Sequence, residues 1–450
     1  MQRDHFMQIL LESAQAEGLS EAECYLAVGD AFEATVHDGE ILSYSVSSAL
    51  GLSFRALVNG KMGYAATQVL DEAAIGQLIQ GAKTNAQLIE NDDAQFIYSG
   101  SAAYPDCESF NPQLESVTPE RKLETALALE KAVRSIDPRV DQVEHCGLFS
   151  GRSFTRIVNT KGLDVSFESN NVGLFIMPIA KENERVNSAF KFVCTRDFEA
   201  LSIADLAQSA AGAAIDGLTG EPVDSGDYCV MLSNEAASAL LSTFVPVFSA
   251  DAAQKGLSLL DKREGEFIAN ECVTLIDDPL HPMGMSGAAF DGEGVAARKK
   301  TIIENGVLKT LLHNLKTAAK AGVETTGNAA RASYAASVGI SPSNFFIAPG
   351  QASQEEMLQS VDAGLLICDL QGLHAGVDAV SGAFSLSAKG FMIENGQIGR
   401  AVSGITMAGN FFDMLKEIKM VGSDLWFSFP GISNVGSPSL NVGTLKIAGR

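Results

Sequence analysis

Residues 40–56 read Glu40-Ile41-Leu42-Ser43-Tyr44-Ser45-Val46-Ser47-Ser48-Ala49-Leu50-Gly51-Leu52-Ser53-Phe54-Arg55-Ala56. The period is two. Leu42, Tyr44 and Val46 alternate with serines, and Leu50, Leu52, Phe54 and Ala56 alternate with Gly51, Ser53 and Arg55. A strand turns successive side chains to opposite faces, so both patterns predict half-buried strands. Asp38-Gly39 and Asn59-Gly60 flank the stretch, where hairpin turns need residues that tolerate positive φ.

Outward from there the period lengthens. Residues 5–17 place Phe6, Ile9, Leu10 and Ala14 on one helical face. Residues 71–90 do the same with Ile75, Leu78, Ile79, Ala82, Ala86 and Ile89. Residues 91–117 are irregular, with Asn91-Asp92-Asp93, Pro105 and Pro112, and read as a linker or lid. Thr118-Pro119 supplies an N-cap followed by proline, predicting a helix to about Arg134. Strands follow to about residue 193, then a helix over 200–217. Thr219-Gly220-Glu221-Pro222 and Asp224-Ser225-Gly226-Asp227 mark the main boundary. We therefore divide the chain into an N-terminal α+β domain, 1–220, and a C-terminal, mostly antiparallel β domain with helices, 221–450. The second part opens with a strand over 229–232 and a helix from Asn234. It repeats one turn signal, Asn305-Gly306 and Asn395-Gly396, which fits two unrelated turns or a duplicated strand unit. Ser353 and Glu356 form a capping box. Helices and strands mix without a βαβ rhythm, so the fold class is α+β.

Composition is globular, at 46% apolar and 19% charged residues. A net charge of −23 repels phosphate backbones, and Arg298-Lys299-Lys300 is the densest basic run, which argues against nucleic-acid binding. Seven isolated cysteines without a C-x-x-C fit a reducing cytoplasm. The apolar region 236–250 falls short of the roughly 20 residues a membrane helix needs. Residues 6–11 are too short, and Asp4 and Glu12 too acidic, for a signal peptide.

Catalytic motifs are scarce. There is no G-x-S-x-G, Walker loop, G-x-G-x-x-G or H-E-x-x-H. The six histidines are dispersed: His5, His37, His145, His281, His313 and His374. Glu144-His145-Cys146, or Asp277 with His281, are the sets an independent, zinc-free hydrolase would draw on. Neighbours at i and i+1 rarely share one metal. Asp277-Asp278-Pro279 reads as a turn. Asp291 and Glu293 lack the spacing of a calcium loop.

One ordered series carries more information. Ile276-Asp277-Asp278 is followed by Phe290-Asp291-Gly292-Glu293-Gly294-Val295 and Ile303-Glu304-Asn305-Gly306. Then come Thr326-Gly327-Asn328-Ala329-Ala330-Arg331-Ala332-Ser333-Tyr334, Ser381-Gly382-Ala383-Phe384-Ser385 and Ile393-Glu394-Asn395-Gly396. Met420-Val421-Gly422-Ser423-Asp424-Leu425 and Ser437-Pro438-Ser439-Leu440 end it. The series resembles the TldD/PmbA family, also called modulator of DNA gyrase, along nearly the whole chain. Within it the chain is similar to the PmbA (TldE) branch. The TldD branch carries H-E-x-x-x-H on the helix after the strand matching 229–232. Ser242, Thr243 and Val247 stand at the first histidine, the glutamate and the second histidine. Serine is a poor zinc ligand, valine is none, and threonine is no general base. The branch's further cysteine ligand is also missing, since no cysteine follows Cys368. The resemblance thus implies a metal-free TldE-type subunit with no cofactor of its own. Zinc would sit in a TldD-type partner, and the complex would process unfolded or small peptides. A homodimer is a further expectation for the chain alone. Arg331, Ser333, Tyr334 and His374 are the candidates for substrate contact. The alternatives are a non-enzymatic, protein-binding regulator and the zinc-free hydrolase.

Overall fold

The computed structural model describes residues 1–90 and 93–450, so Asn91 and Asp92 of the expected linker lie outside the described residues. The first part is built on strands β1 (Ala22–His37), β2 (Glu40–Val58), β3 (Lys61–Thr67), β4 (Val140–Asn159), β5 (Asp164–Glu182), β6 (Arg185–Ser188) and β7 (Lys191–Thr195). They form an antiparallel sheet in the order β3-β2-β1-β4-β5-β6, with β7 beside β5. The two alternating patterns of the opening stretch are one strand, β2. Its flanking turns have positive φ at both central residues: 53° and 76° at Asp38-Gly39, 50° and 80° at Asn59-Gly60. That geometry matches the twist of the strands it joins.

Helices α1 (Arg3–Ala16), α2 (Glu72–Gln87), α3 (Pro119–Arg134) and α4 (Ile203–Asp216) cover one face of this sheet. The caps are local chemistry: Asp71, Thr118 and Ser202 side chains accept the N–H of Ala74, Arg121 and Asp205. α1 and α2 pack on Leu26, Leu52 and Phe54. α3 and α4 pack further along on Phe32, Ala34, Leu148 and Leu174. The expected burial fails at the start of β2. Leu42, Tyr44 and Val46 are 69%, 62% and 71% exposed. Their neighbours Phe32 and Ala34 on β1 lie under α3, but the helical layer leaves residues 42–46 of β2 uncovered, and β3 pairs only with residues 52–58.

The second part begins with β8 (Gly226–Leu232) and α5 (Asn234–Phe244). Five strands, β8, Ala363–Gln371, Ala383–Glu394, Gln397–Asn410 and Leu440–Ala448, close into a ring, because Gln397–Asn410 also pairs with Leu440–Ala448. Beside it runs a second six-stranded sheet containing Leu275–Asp277, Lys300–Glu304, Asn344–Ile347 and Asn434–Ser437. The two Asn-Gly turns belong one to each sheet. α5 lies in the core between them, where Phe244 stacks on Phe411 at 4.2 Å and 8°. The fold is α+β in two parts.

From residue 93 the expected linker or lid is a packed strap. Tyr104 Oη donates to Gly294 O at 2.9 Å, Ser101 Oγ accepts from Ala296 N at 3.0 Å, and Ser109 Oγ donates to Glu168 O at 2.7 Å. It thereby ties the first sheet to the second part.

Two glycines test the packing. A Cβ on Gly63 of β3 would meet Ala82 O of α2 at 1.8 Å, whereas one on Gly76 of α2 meets nothing within 4 Å. Gly63→Ala should destabilise by about 1–3 kcal/mol through overpacking. Gly76→Ala should stabilise by about 0.5–1 kcal/mol through helix propensity. Denaturant midpoints of the two variants check both signs.

Candidate functional site

The sheet face without helices turns toward the second part. On it Glu23 and Tyr25 of β1 lie near Arg55 of β2. Arg55 Nε donates to Glu23 Oε1 at 2.8 Å and its Nη1 to Glu293 Oε1 at 3.3 Å. Arg331 Nη2 donates to the same Glu23 oxygen at 2.9 Å, and its Nε to Gly292 O at 2.9 Å. The Arg331 guanidinium sits 4.4 Å above the Tyr25 ring. All four charged side chains are buried, Glu23 completely. Burial lowers the Arg55 pKa, but Glu23 and Glu293 outweigh it and hold the group above its ordinary value. Burial, then the like charge of Arg55, pulls Arg331 down. Asp291, next in the same loop, is pushed up to about 7 by burial and by Glu293. Its carboxylate nevertheless accepts the N–H groups of Glu293, Val295 and Ala329, which fixes the loop.

Against this network lies a cleft of about 350 Å³ between the two parts, lined among others by Tyr25, Ser153, Ser286, Asn328 and Arg331. Arg331 Nη1 is buried there without a hydrogen-bond partner. Segment 429–432 continues the cleft. Ile432 lines it, Gly431 O accepts from Ser286 Oγ, and Phe429 joins an aromatic floor. Phe429 lies 5.0 Å from Phe149 and 5.2 Å from Phe192, and Phe192 lies 5.4 Å from Trp426. Phe190 and Phe429 remain 48% and 46% exposed. An open aromatic floor beside a polar cleft suits an extended chain, whose side chains want apolar contact and whose backbone wants hydrogen bonds.

α5 borders this groove. Lys191, between Phe190 and Phe192, pairs with Glu235 on α5 at 2.5 and 2.7 Å. Ser242 lies two turns further along on the same helical face and is exposed. Thr243 Oγ1 donates back to Ala239 O at 3.0 Å. The helix then ends at Phe244, and Val245–Phe248 form a 3-10 turn that buries Val247 in the core at 1% exposure. Side chains at 242, 243 and 247 therefore do not converge, and none is a zinc donor. These residues do not fit the metal. Among the described residues one group brings three ligating side chains together: His37, Asp38 and Glu130, with their ligand atoms within 4.8 Å. Arg134 already pairs with Asp38 at 2.5 Å and with Glu130 at 3.3 Å, so a guanidinium takes the cation's place.

Of the substrate candidates, Arg331 lines the cleft and holds the ion network. Tyr334 lies against Gly51 of β2, where a Cβ would fall 2.1 Å from its ring. Ser333 is exposed, and His374 is exposed on the loop after Ala363–Gln371, outside the cleft's lining. The hydrolase candidates disperse. Glu144 and His145 are exposed, while the buried Cys146 thiol is pushed up to about 12 by burial and donates to Ala126 O. Asp277 is not in a turn: it ends a strand and accepts Lys300 at 3.1 Å and Asn328 Nδ2 at 2.6 Å. The turn starts one residue later, because Asp277 is needed to neutralise buried Lys300. His281 packs against Phe346 and Phe427 at 4.8 and 5.3 Å, and its Nδ1 accepts from Met283 N. Sequence reasoning missed Glu23, Arg55 and the aromatic floor. Arg55 stood in the alternation as an ordinary solvent-side residue.

Family models match three segments: PmbA/TldA metallopeptidase domain 1 over 22–86, the central domain over 112–218 and the C-terminal domain over 225–449. The chain belongs to the PmbA/TldD family. It is 26% identical to metalloprotease PmbA of Escherichia coli O157:H7, over 98% of this chain and 94% of that one. It is 28% identical to a metalloprotease of Methanothermobacter thermautotrophicus, over 89% and 88%. A crystal structure from Thermotoga maritima, called a modulator of a DNA gyrase, superposes with a TM-score of 0.91 at 33% identity, covering 99% of this chain and all of that one. TldE from Thermococcus kodakarensis shares the fold, with a TM-score of 0.90 at 24% identity over 99% of this chain and all of that one. No helix among the described residues is long and apolar enough to cross a membrane.

Removing one member of a buried ion set leaves the others unpaired, at about 3–5 kcal/mol. Arg331→Met should therefore lower the unfolding midpoint markedly, while Arg298→Met, on an exposed residue bonded to Thr325 O, should change it little. Thermal unfolding of the two variants checks this.

Proposed function

We propose that this chain is the metal-free, TldE-type subunit of a metallopeptidase complex, and that its groove holds extended segments of unfolded peptides. The carrying observation is α5. Its motif positions are an exposed serine, a self-bonded threonine and a core valine, so hydrolysis belongs to a zinc-bearing, TldD-type partner. The groove supports the substrate half of the reading: the floor takes apolar side chains and the cleft takes backbone polar groups. The residue sets an independent hydrolase would draw on are otherwise engaged, with Cys146 buried against Ala126 O, Asp277 on Lys300 and His281 between two phenylalanine rings, which disfavours that reading. All seven cysteines are free, in keeping with a cytoplasmic setting.

Purified alone, the chain should hold no stoichiometric zinc by metal analysis and should leave unfolded peptides uncut. Mixed with a family member bearing H-E-x-x-x-H, it should form an active complex. In that complex Phe429→Asp should raise KM for unfolded peptides about tenfold, equivalent to one apolar contact of about 1.4 kcal/mol, with kcat little changed. Tight zinc together with peptidase activity in the isolated chain sinks the proposal.

A further inference from the structure

Arg331 has a donor that the ion set does not use. Its Nε bonds Gly292 O and its Nη2 bonds Glu23, but among the described residues Nη1 meets no acceptor. The side chain is 1% exposed. A nitrogen this deep ordinarily has a partner, because a buried donor left unbonded has given up its hydration for nothing. The guanidinium faces the cleft: Tyr25, whose ring it covers, and Gly292, whose carbonyl it bonds, line that cleft together with Arg331. Arg55 Nη2 is also unbonded, but Arg55 does not line the cleft. The carboxylates of the set are already engaged at every oxygen. Glu23 Oε1 receives two arginine nitrogens, and its Oε2 receives Asn159 Nδ2 at 3.4 Å. Glu293 Oε1 receives Arg55 Nη1, and its Oε2 receives Leu315 N at 2.9 Å.

The charge of the site decides what this donor takes. Glu23 and Glu293 balance the two guanidinium groups, and Asp291, which also lines the cleft, adds a third carboxyl group. A ligand carboxylate or phosphate at Nη1 would bring more negative charge to a desolvated site where carboxyl groups already outnumber guanidinium groups. A neutral carbonyl oxygen accepts the same hydrogen bond without adding charge. We propose that Arg331 Nη1 donates to a main-chain carbonyl of the bound peptide, so that the groove receives internal segments of unfolded chains and disfavours a free carboxyl terminus at this point. The proposal rests on the reading that the groove holds extended peptides, and it adds what the groove selects. The surroundings suit an uncharged backbone: Ser153, Ser286 and Asn328 share the lining, and Ile432 leads from there to the aromatic floor at Phe429.

Fluorescence anisotropy of the full chain with a short, uncharged, apolar-rich peptide, dye-labelled at its N-terminus, tests this. The C-terminal amide should bind several-fold more tightly than the free acid. Replacing one carbonyl oxygen at a time by sulfur, a weaker acceptor, should weaken binding about tenfold at one position, the worth of one hydrogen bond from a charged donor. In Arg331→Lys, whose single ammonium keeps a charge beside Glu23 but has no second arm, sulfur at that position should change little, with circular dichroism confirming the fold. The amide–acid comparison and the sulfur scan need only the wild-type chain, so they decide even where Arg331→Lys does not fold. A free acid that binds as tightly as the amide or more tightly, a sulfur scan that is flat along the peptide, or the same sulfur effect in folded Arg331→Lys overturns the proposal. In each of those cases the groove reading stands if Phe429→Asp weakens binding of both forms alike. Absence of binding by either form overturns the groove reading and this proposal together.

Discussion

Glu23, Arg55, Glu293 and Arg331 set the relation between the two parts of this protein. Two of the charges come from the first sheet and two from loops nearly 240 residues or more further along. Each is desolvated, so each is tolerable only with the others in place. Apolar residues of similar volume could fill such a space with comparable stability, but they would accept many orientations. The ionic set accepts one: a single Glu23 oxygen receives both Arg55 Nε and Arg331 Nη2. The width of the groove follows from that geometry, because Tyr25 and Arg331 belong both to the network and to the cleft wall.

The strap reinforces the same relation from outside. Tyr104 and Ser101 bond the backbone of Gly294 and Ala296, on either side of Val295, whose own N–H is held by Asp291. Gly294 has a φ of 83°, and a Cβ there would strike Leu163 at 2.5 Å. A glycine is required at this point for both reasons. The loop carrying Glu293 is thus fixed by three backbone bonds to one aspartate before it offers its carboxylate to Arg55.

What could be read from the sequence was local. The β2 alternation, the Asp38-Gly39 and Asn59-Gly60 turns, the Thr118-Pro119 helix start and the Ser353 capping box depend on residues a few positions apart, and all are present. Burial depends on what arrives from elsewhere. The alternation of Leu42, Tyr44 and Val46 could not reveal that the helical layer stops short of it. Asp277 looked like a turn residue because Lys300 is 23 positions away. Arg331 emerged from motif order, whereas Glu23 and Arg55 carry no local mark, because they pair with each other across two strands and with Arg331 and Glu293 of the other part.

α5 is held in place by bonds to neighbouring segments. Its structural bonds are Asn234 Nδ2 to Asp424 O, Ser238 Oγ to Trp426 O and the Lys191–Glu235 pair. None uses the side chain at position 242, 243 or 247. Val247, fully buried in a 3-10 turn opened by Val245-Pro246, contributes about 1.5–3 kcal/mol of apolar burial. A histidine there would bury an imidazole among Phe244, Phe248 and Leu260, with no metal to satisfy its nitrogen. Placing a zinc site here would therefore take more than three substitutions. The chain between Phe244 and Phe248 would have to continue as helix, which Pro246 opposes, and the core would have to repack around the space Val247 now fills.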